Sequence, residues 1–334
     1  MSRLSPEEIT ARLEAAFDRH FGFKPTIANL RRLTGGASRE TWSFDIDADA
    51  DSGLPGGLIL RRDPGKTPLA LERSTEAGLL SAAYDAGVPV PQIVCKLDDD
   101  DGLGPAFIME RIEGETIPRK ILRDAEYAEA RPKMSAQCGE ILAKIHAINF
   151  EDLGLPAPGD AHPVDDQIKQ YRQLLDGFGE PHPAFELGLK YLEESKPPLA
   201  RLALVHGDFR NGNLIVGPDG IRSVLDWELA HIGDPLEDFG WLCVRSWRFG
   251  EDSNEVGGFG HLEDLCEAYE AAGGDSVSPE SVRFWEIFGT VKWGVICIVQ
   301  AFTHLNGLTR SVELATLGRR VCEMEYDVMR LLPW

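Results

Sequence analysis

One short segment of the chain concentrates side chains suited to phosphoryl transfer. Residues 204–228 read LVHGDFRNGNLIVGPDGIRSVLDWE, in which Asn213 follows Asp208 by five residues and Asp226 follows Asn213 by thirteen. An alcohol that attacks a phosphate needs a carboxylate to position it and accept its proton, and a magnesium ion needs hard oxygen ligands. We therefore interpret Asp208 as a catalytic base and Asn213 and Asp226 as metal ligands. A turn rich in Asn, Gly and Asp is the simpler alternative.

The apolar pattern on either side of this segment predicts two regions of different structure. The first third alternates with the period of strands, after a leading helix and around a second helix, with predicted strands at 27–33, 41–47, 57–62, 92–97 and 105–112. Beyond residue 116 the period is mostly helical, with predicted helices at 132–147, 162–176, 183–195, 235–246, 261–272, 279–305 and 309–331. This order predicts an α+β fold with two lobes.

Composition limits the partners and the location of the protein. The 334 residues carry a formal net charge of −21, which disfavours binding to nucleic acid or to an anionic membrane. The six cysteines include no C-x-x-C pair, as expected for thiols in a reducing compartment. The longest apolar stretch, residues 288–302, contains Lys292 and is too short to span a bilayer. With no visible signal peptide, we predict a cytoplasmic protein and no membrane partner.

The central motifs resemble those of a known family. HGDFRNGN at 206–213 and DWELAHIGDPLEDFGWL at 226–242 are similar to motifs of the aminoglycoside phosphotransferase and choline kinase family, which has a protein-kinase-like fold. The resemblance implies a small, β-rich N-terminal lobe that binds nucleotide, residues 1–111. It also implies a larger helical C-terminal lobe, residues 112–334, which carries the catalytic loop and the acceptor site.

The same resemblance assigns roles within the central segment. Asp208 would be the catalytic base, His206 would brace the loop, and Asn213 and Asp226 would bind Mg²⁺. In the family, acidic residues of the G-D-P-x-x-D motif hold the loop, but capping of the following helix is the better interpretation here, because Asp-Pro is typical of a helix start: Asp234 and Asp238. His146, which matches a helical histidine of the family, is better interpreted as a hydrogen-bonded core residue.

The resemblance also implies the parts of an ATP site in the first lobe. A turn between the first two strands would fold its backbone N–H groups over the phosphates, with the residues Gly35, Gly36 and Ser38. On the third strand an arginine would neutralise the phosphates, and we take Arg61, although strand alternation alone does not decide between Arg61 and Arg62. Glu76 of the following helix would hold this arginine, with Glu72 as a competitor.

The stretch FIMERIEGE resembles the linker whose backbone reads adenine in this family. Glu110 and Ile112 are the residues that the resemblance implies.

The acceptor is less well defined by the sequence. Acidic residues in the helical region would suit a cationic acceptor such as an aminoglycoside or choline: Asp165, Asp166, Glu180 and Glu186. Arg245, Trp247 and Arg248 would instead favour an anionic acceptor, or equally could form salt bridges at the surface. The C-terminal part, residues 293–329, resembles kinase-like domains associated with acyl-CoA dehydrogenases, which implies a hydroxyacyl-CoA-type acceptor ahead of aminoglycosides, choline and homoserine.

Together these features predict an ATP- and Mg²⁺-dependent phosphotransferase that acts on the hydroxyl group of a small molecule. A kinase-like protein that binds nucleotide without catalysis is the main alternative. A hydrolase that uses Ser223 is disfavoured because the chain lacks a G-x-S-x-G motif. The preference for ATP or GTP and the oligomeric state are not predicted.

Overall fold

The computed structural model describes residues 4–33, 40–47, 53–63, 71–156, 158–159 and 162–333. The chain divides into two compact units. The first comprises Met1–Gly114, Glu151–Gly154 and Arg222–Leu229, and the second comprises Glu115–Phe150, Leu155–Ile221 and Ala230–Trp334. Asp226 therefore groups with the first unit, whereas Asp208 and Asn213 of the same central segment group with the second.

The first unit is a five-stranded antiparallel sheet with two helices. Its elements are α1 (Pro6–Phe21), β1 (Ile27–Leu33), β2 (Glu40–Ile46), β3 (Gly57–Arg62), α2 (Arg73–Asp85), β4 (Ile93–Leu97) and β5 (Ala106–Glu110). The strand order is β1-β2-β3-β5-β4. Helix α1 begins with a capping box, in which the side chains of Ser5 and Glu8 each accept a hydrogen bond from the other residue's backbone N–H.

Helix α1 packs on one face of this sheet, and its contacts show which side chains of β3 point to that face. Phe17 of α1 belongs to the same buried cluster as Leu58 and Leu60 of β3. Because successive side chains of a strand point to opposite faces, Arg61 points away from the α1 face and Arg62 points toward it.

The second unit is mostly helical and contains short strands around the central segment. Its elements are α3 (Pro118–Arg123), α4 (Arg131–His146), α5 (Pro163–Phe178), α6 (Pro183–Glu194), β6 (Ala203–Val205), β7 (Leu214–Gly217), β8 (Gly220–Val224), β9 (His231–Gly233), α7 (Leu236–Cys243), α8 (Leu262–Ala271), α9 (Pro279–Leu305), α10 (Val312–Leu317) and α11 (Val321–Leu331). Strands β6 and β9 pair antiparallel. The last residues of β8 group with the first unit.

Close helix contacts in the second unit depend on glycine. A Cβ atom added to Gly240 of α7 would lie 2.2 Å from the carbonyl carbon of Trp285 in α9. Only a residue without a side chain lets the two backbones approach this closely. Side chains of both α7 and α9 contact the central segment, as described below.

The helices and strands agree with the predicted ones except in a few places. Helix α3 was not predicted, and α7 ends at Cys243 and is followed by a 3₁₀ helix at Arg245–Arg248. The helix predicted at 309–331 is interrupted by a 3₁₀ turn at Gly318–Arg320. A Cβ atom on Gly318 would lie 2.7 Å from that of Ala301, so the interruption coincides with a close contact to α9. Among the described helices, none is long and apolar enough to cross a membrane.

Candidate active site

The loop between β6 and β7 holds Asp208 by several hydrogen bonds. Asp208 is only 9% exposed. Its Oδ1 atom accepts hydrogen bonds from Nε1 of Trp241, at 2.8 Å, and from Nε of Arg210, at 2.9 Å. Its Oδ2 atom accepts a hydrogen bond of 2.6 Å from Nδ2 of Asn213. The carboxylate is therefore fixed in one orientation by three donors, two of them from its own loop.

The backbone that precedes Asp208 is held by Asp238 of α7. The carboxylate of Asp238 accepts hydrogen bonds from the backbone N–H of His206, at 2.8 Å, and of Gly207, at 2.9 Å. It also lies 3.1 Å from Nε2 of His146, and all of these groups are buried. Burial alone would raise the pKa of Asp238, but hydrogen bonds and charge from His146 and His206 hold it below its usual value. Asp238 is thus an ionised anchor for the loop, and the capping role that we preferred from the sequence is wrong for this residue.

His206 and His146 have structural contacts. Nδ1 of His206 accepts a hydrogen bond of 3.2 Å from the backbone N–H of Asp208, which closes the turn. His146 of α4 lies between Asp238 and the hydroxyl of Tyr269, at 3.1 Å from each. The buried position of His146 in this chain of hydrogen bonds is that of a core residue.

Asn213 is oriented so that its amide oxygen is the atom left for a ligand. Its Nδ2 atom donates to both the backbone oxygen of Asp208, at 3.0 Å, and the Asp208 carboxylate. The amide nitrogen is therefore engaged by the loop itself. An amide oxygen is a ligand suited to Mg²⁺, so the donor set at Asn213 fits a magnesium ion.

In the first unit, Arg61 lies between two carboxylates. Its Nη1 atom is 3.1 Å from Oε1 of Glu76 in α2, and its Nη2 atom is 3.3 Å from Oδ1 of Asp226. Burial alone would lower the pKa of Arg61, but the charges of Glu76 and Asp226 raise it above its usual value. Glu76 also forms an ion pair with Arg73, whose Nε atom donates to Asp63 at 3.0 Å. This network fixes the guanidinium of Arg61 through α2.

Arg62 has a different environment. Its Nε atom donates to the backbone oxygen of Leu103 at 3.0 Å, and its Nη1 atom lies 3.4 Å from Oε2 of Glu40, its cross-strand neighbour. The buried contacts of Arg62 thus tie β3 to β2 and to the turn before β5. The two arginines therefore have different partners, a difference that strand alternation alone did not predict.

Asp226 has an unusual backbone conformation. Its φ angle is 67°, in the left-handed region that residues with a side chain seldom adopt. Such strain persists only where the surrounding structure imposes it, and it occurs often at functional sites. Here the conformation accompanies the contact between the Asp226 carboxylate and Arg61.

Other predicted residues lie at less informative positions or outside the described residues. Glu110 is the last residue of β5, where its backbone N–H donates to Gln92 at 2.9 Å, and Ile112 follows two residues later. Glu72 precedes α2 and is exposed, and its side chain does not cap the helix. The predicted phosphate-binding residues of the first turn lie outside the described residues: Gly35, Gly36 and Ser38.

Asp234 serves the start of α7. Its Oδ1 atom accepts a hydrogen bond of 2.9 Å from the backbone N–H of Leu236. Burial raises the pKa of Asp234 to about 6. This position is that of a helix-capping residue, in agreement with the structural alternative proposed from the sequence.

The arginines that suggested an anionic acceptor are neutralised within the second unit. Arg245 forms ion pairs with Asp252, at 2.8 Å, and with Asp327, at 3.2 Å. Arg248 forms one with Glu286 at 2.7 Å. Their charges are therefore used in packing, and they support an anionic acceptor less than their sequence position suggested.

The acidic candidates for a cationic acceptor divide into paired and exposed residues. Asp165 pairs with Lys196 at 2.6 Å, and Glu186 lies 3.4 Å from Arg172. Asp166 and Glu180 are exposed. A cavity of about 370 Å³ lies beside α5, with a mixture of acidic and basic side chains in its wall: Asp165, Ile168, Lys169, Arg172, Gln173, Asp176 and Glu193.

Three residues near Asp208 were not identified from the sequence. Trp241 and Arg210 donate to its carboxylate, and the guanidinium of Arg210 lies 4.5 Å from the ring centre of Trp247. Lys292 of α9 donates to the backbone oxygen of Gly207. A lysine within the longest apolar stretch is the one sequence signal that could have drawn attention to this contact.

Comparison with known proteins identifies the class. A model of the phosphotransferase enzyme family matches residues 29–274. The chain therefore belongs to this family of phosphotransferase enzymes, as the sequence predicted.

Solved structures confirm the fold. A putative aminoglycoside phosphotransferase from Ralstonia eutropha JMP134 has a TM-score of 0.73 at 22% identity and covers 96% of this chain and 97% of that one. A choline/ethanolamine kinase family protein from Mesorhizobium loti has a TM-score of 0.64 at 20% identity, with 98% and 95% covered. A spectinomycin phosphotransferase in complex with ADP and spectinomycin has a TM-score of 0.63 at 13% identity, with 96% and 98% covered. The chain has the predicted protein-kinase-like, two-lobed α+β fold.

Curated relatives are longer proteins. Acyl-CoA dehydrogenase family member 10 of Mus musculus is 33% identical over 199 residues, which are 56% of this chain and 18% of that protein. The probable acyl-CoA dehydrogenase IBR3 of Arabidopsis thaliana is 29% identical over 248 residues, which are 69% of this chain and 30% of that protein. The chain thus spans less than a third of the length of these two relatives.

Proposed function

We propose that this phosphotransferase moves the γ-phosphate of ATP, in a reaction that requires Mg²⁺, to the hydroxyl group of a small molecule. The observation that carries the proposal is the fixed carboxylate of Asp208, on a loop whose Asn213 keeps an amide oxygen for a metal ion. Known structures with the same fold that were determined with ADP support a nucleotide as the donor.

Asp208 acts as the base. A carboxylate offers about four positions for hydrogen-bond donors, and Trp241, Arg210 and Asn213 occupy three of them. The carboxylate can accept one further hydrogen bond, from the hydroxyl of the acceptor, and then its proton as the oxygen attacks phosphorus. Because the carboxylate is already oriented, the acceptor hydroxyl approaches it from one direction.

Asn213 and Asp226 are the proposed metal ligands. Both present hard oxygen atoms, and the left-handed backbone at Asp226 is a strained conformation of the kind found at ligand sites. The residues present therefore fit Mg²⁺. When bound, the ion would neutralise charge on the phosphates.

Arg61 is the proposed phosphate-binding cation, because Glu76 holds its guanidinium in place. The backbone around Glu110 and Ile112 is proposed to bind adenine, and the turn with Gly35, Gly36 and Ser38 to cover the phosphates. These roles assign nucleotide binding to residues 1–111 and the catalytic loop and acceptor site to residues 112–334. Asp226 is an exception, because it packs with the first unit although its number places it in the second range.

The acceptor we favour is a hydroxyacyl-CoA thioester. Support comes from the similarity to proteins named as acyl-CoA dehydrogenases, of which this chain matches less than a third of the length. Aminoglycosides and choline or ethanolamine are the alternatives that the names of the structural neighbours suggest.

Magnesium-dependent release of ADP tests the proposal. The assay uses ATP with a panel of alcohols that includes 4-hydroxyacyl-CoA thioesters, aminoglycosides, choline and homoserine. With the correct acceptor, Asp208→Asn should lower kcat by roughly two to four orders of magnitude, because the amide cannot accept the proton. Titration calorimetry should show that this variant still binds ATP, and chelation of Mg²⁺ should stop turnover of the wild type.

Asp264→Asn is the matched control, since Asp264 lies in the exposed first turn of α8. It should leave turnover unchanged. Full ADP release by the Asp208→Asn protein would refute the assignment of the base. ATP binding without turnover on any alcohol would favour the non-catalytic alternative.

A further inference from the structure

A buried lysine outside the matched family region contacts the catalytic loop. Lys292 lies in the middle of α9 and is 5% exposed. The family match ends at residue 274, so α9 lies beyond it. A buried ammonium group is costly unless its hydrogen bonds and charge are satisfied. The contacts of Lys292 therefore indicate its role.

The ammonium group of Lys292 contacts three groups. It donates to the backbone oxygen of Gly207 at 2.9 Å and to Oε1 of Glu237 at 3.2 Å. It also lies 4.6 Å from the centre of the Trp241 ring, in a cation–π contact. Burial alone would lower the pKa of Lys292, but the charge of Glu237 raises it above its usual value. The lysine is thus ionised in the core.

Two of these three groups position Asp208 directly. The carbonyl of Gly207 belongs to the peptide bond that leads into Asp208, and Gly207 has a φ angle of 78°, which glycine adopts readily. The N–H of the same peptide donates to Nδ1 of His206, so Lys292 holds its carbonyl side while His206 holds its N–H side. Trp241 is the residue whose indole N–H donates to the Asp208 carboxylate at 2.8 Å. One ammonium group therefore contacts both the backbone and the side chain that set the direction of this carboxylate.

The geometry points to Lys292 as a positioning residue for the catalytic base, acting through the carbonyl of Gly207 and the indole of Trp241. This inference rests on the proposed function of Asp208. Helix α9 thereby contributes to the reaction indirectly. Its lysine holds Asp208 in place, and Asp208 orients the acceptor hydroxyl. The competing explanation is that Lys292 only neutralises the buried carboxylate of Glu237.

Kinetics of paired variants separate the two explanations. Lys292→Met removes the anchor. It also takes the buried cation from Oε1 of Glu237, whose Oε2 keeps His231 and Gln167 at 3.0 Å each, and this loss favours unfolding. The double variant Lys292→Met with Glu237→Gln removes the charge pair as a whole and is the better test. Glu237→Gln alone is the matched control, because Lys292 keeps its bond to Gly207 there.

If Lys292 positions Asp208, the double variant should lose roughly 10- to 100-fold in kcat, as expected for a misplaced catalytic group. Its KM for ATP should stay near the wild-type value, and Glu237→Gln alone should retain most of kcat. Recovery of kcat in the double variant to the level of Glu237→Gln would show that Lys292 only neutralises a charge. A change in KM for ATP with kcat unchanged would equally contradict the inference.

Hydrogen exchange provides a second test that needs no substrate. The backbone N–H groups of the loop are bonded to Asp238 and to His206, so their exchange reports on the order of residues 203–213. The double variant should exchange faster there than Glu237→Gln, and the helices remote from the loop should not change. Equal exchange in the loop would overturn the inference. If the wild type turned over no alcohol, the proposed function would fail in the kinetic assay while this measurement still decided the role of Lys292.

Discussion

At the scale of single residues, two neighbouring arginines of β3 have different tasks. Arg61 is held between Glu76 and Asp226, whereas Arg62 is bonded to Leu103 and Glu40. Hydrogen bonds to charged groups contribute about 1.5–3 kcal/mol, which corresponds to roughly 10- to 100-fold in affinity. Arg61→Met should therefore raise the KM and the Kd for ATP by roughly that factor, as measured by initial rates and by titration calorimetry.

Arg62→Met is the matched control for this prediction. It should leave the affinity for ATP near the wild-type value. It should lower Tm, because it removes the buried ion pair with Glu40 and the hydrogen bond to the backbone oxygen of Leu103. A larger loss of ATP affinity in Arg62→Met than in Arg61→Met would reverse the assignment.

The same pair shows what sequence reasoning reaches at this scale. Residue types and spacing singled out Asp208, Asn213 and Asp226, because a base and hard oxygen ligands are a chemical requirement. Alternation showed that Arg61 and Arg62 face opposite ways, but which face is covered depends on where α1 packs. The packing of α1 belongs to the tertiary structure, in which Phe17 shares a buried cluster with Leu58 and Leu60.

At the scale of elements, the crossing of α7 and α9 brings Trp241 and Lys292 together at the loop that carries Asp208. Gly240 permits this crossing, since a Cβ atom there would lie 2.2 Å from the backbone of α9. Gly240→Ala should destabilise the protein by about 1–3 kcal/mol or more, because overpacking outweighs the gain in helix propensity. Denaturant unfolding measures the effect, and kcat should fall with it because both Trp241 and Lys292 would shift.

Gly177→Ala in α5 is the matched control. Among the described residues, no atom beyond the local backbone of the helix lies within 4 Å of a Cβ atom at this position. The substitution should therefore stabilise the helix by roughly 0.5–1 kcal/mol and leave kcat unchanged. Stabilisation by Gly240→Ala as well would show that the two helices can separate at little cost.

Most helices and strands followed from the sequence, because apolar periodicity and end signals are local. The interruption at Gly318–Arg320 and the role of Lys292 did not, for a shared reason. Both depend on contacts of α9 with residues distant in sequence, such as Ala301 with Gly318 and Lys292 with Gly207. Local patterns record that a lysine lies in an apolar helix but not which carbonyl it meets.

At the scale of the whole molecule, the net charge of −21 bears on the identity of the acceptor. An acidic protein repels an anionic acceptor over distances comparable to the Debye length, which is about 30 Å at 0.01 M salt and about 10 Å at 0.1 M. The favoured acceptor, a CoA thioester, carries several negative charges. At saturating ATP and constant free Mg²⁺, its kcat/KM should therefore rise about two- to tenfold as salt increases over this range.

A cationic aminoglycoside would give the opposite sign, because added salt screens an attraction in that case. A zwitterion such as homoserine should show little dependence and serves as the control for general effects of salt on the enzyme. A decrease of kcat/KM with salt for the thioester would mean that local cations, for which Arg210 is the candidate beside Asp208, outweigh the charge of the whole molecule. The sign of the salt dependence thus distinguishes long-range repulsion from local recognition for the acceptor that the enzyme uses.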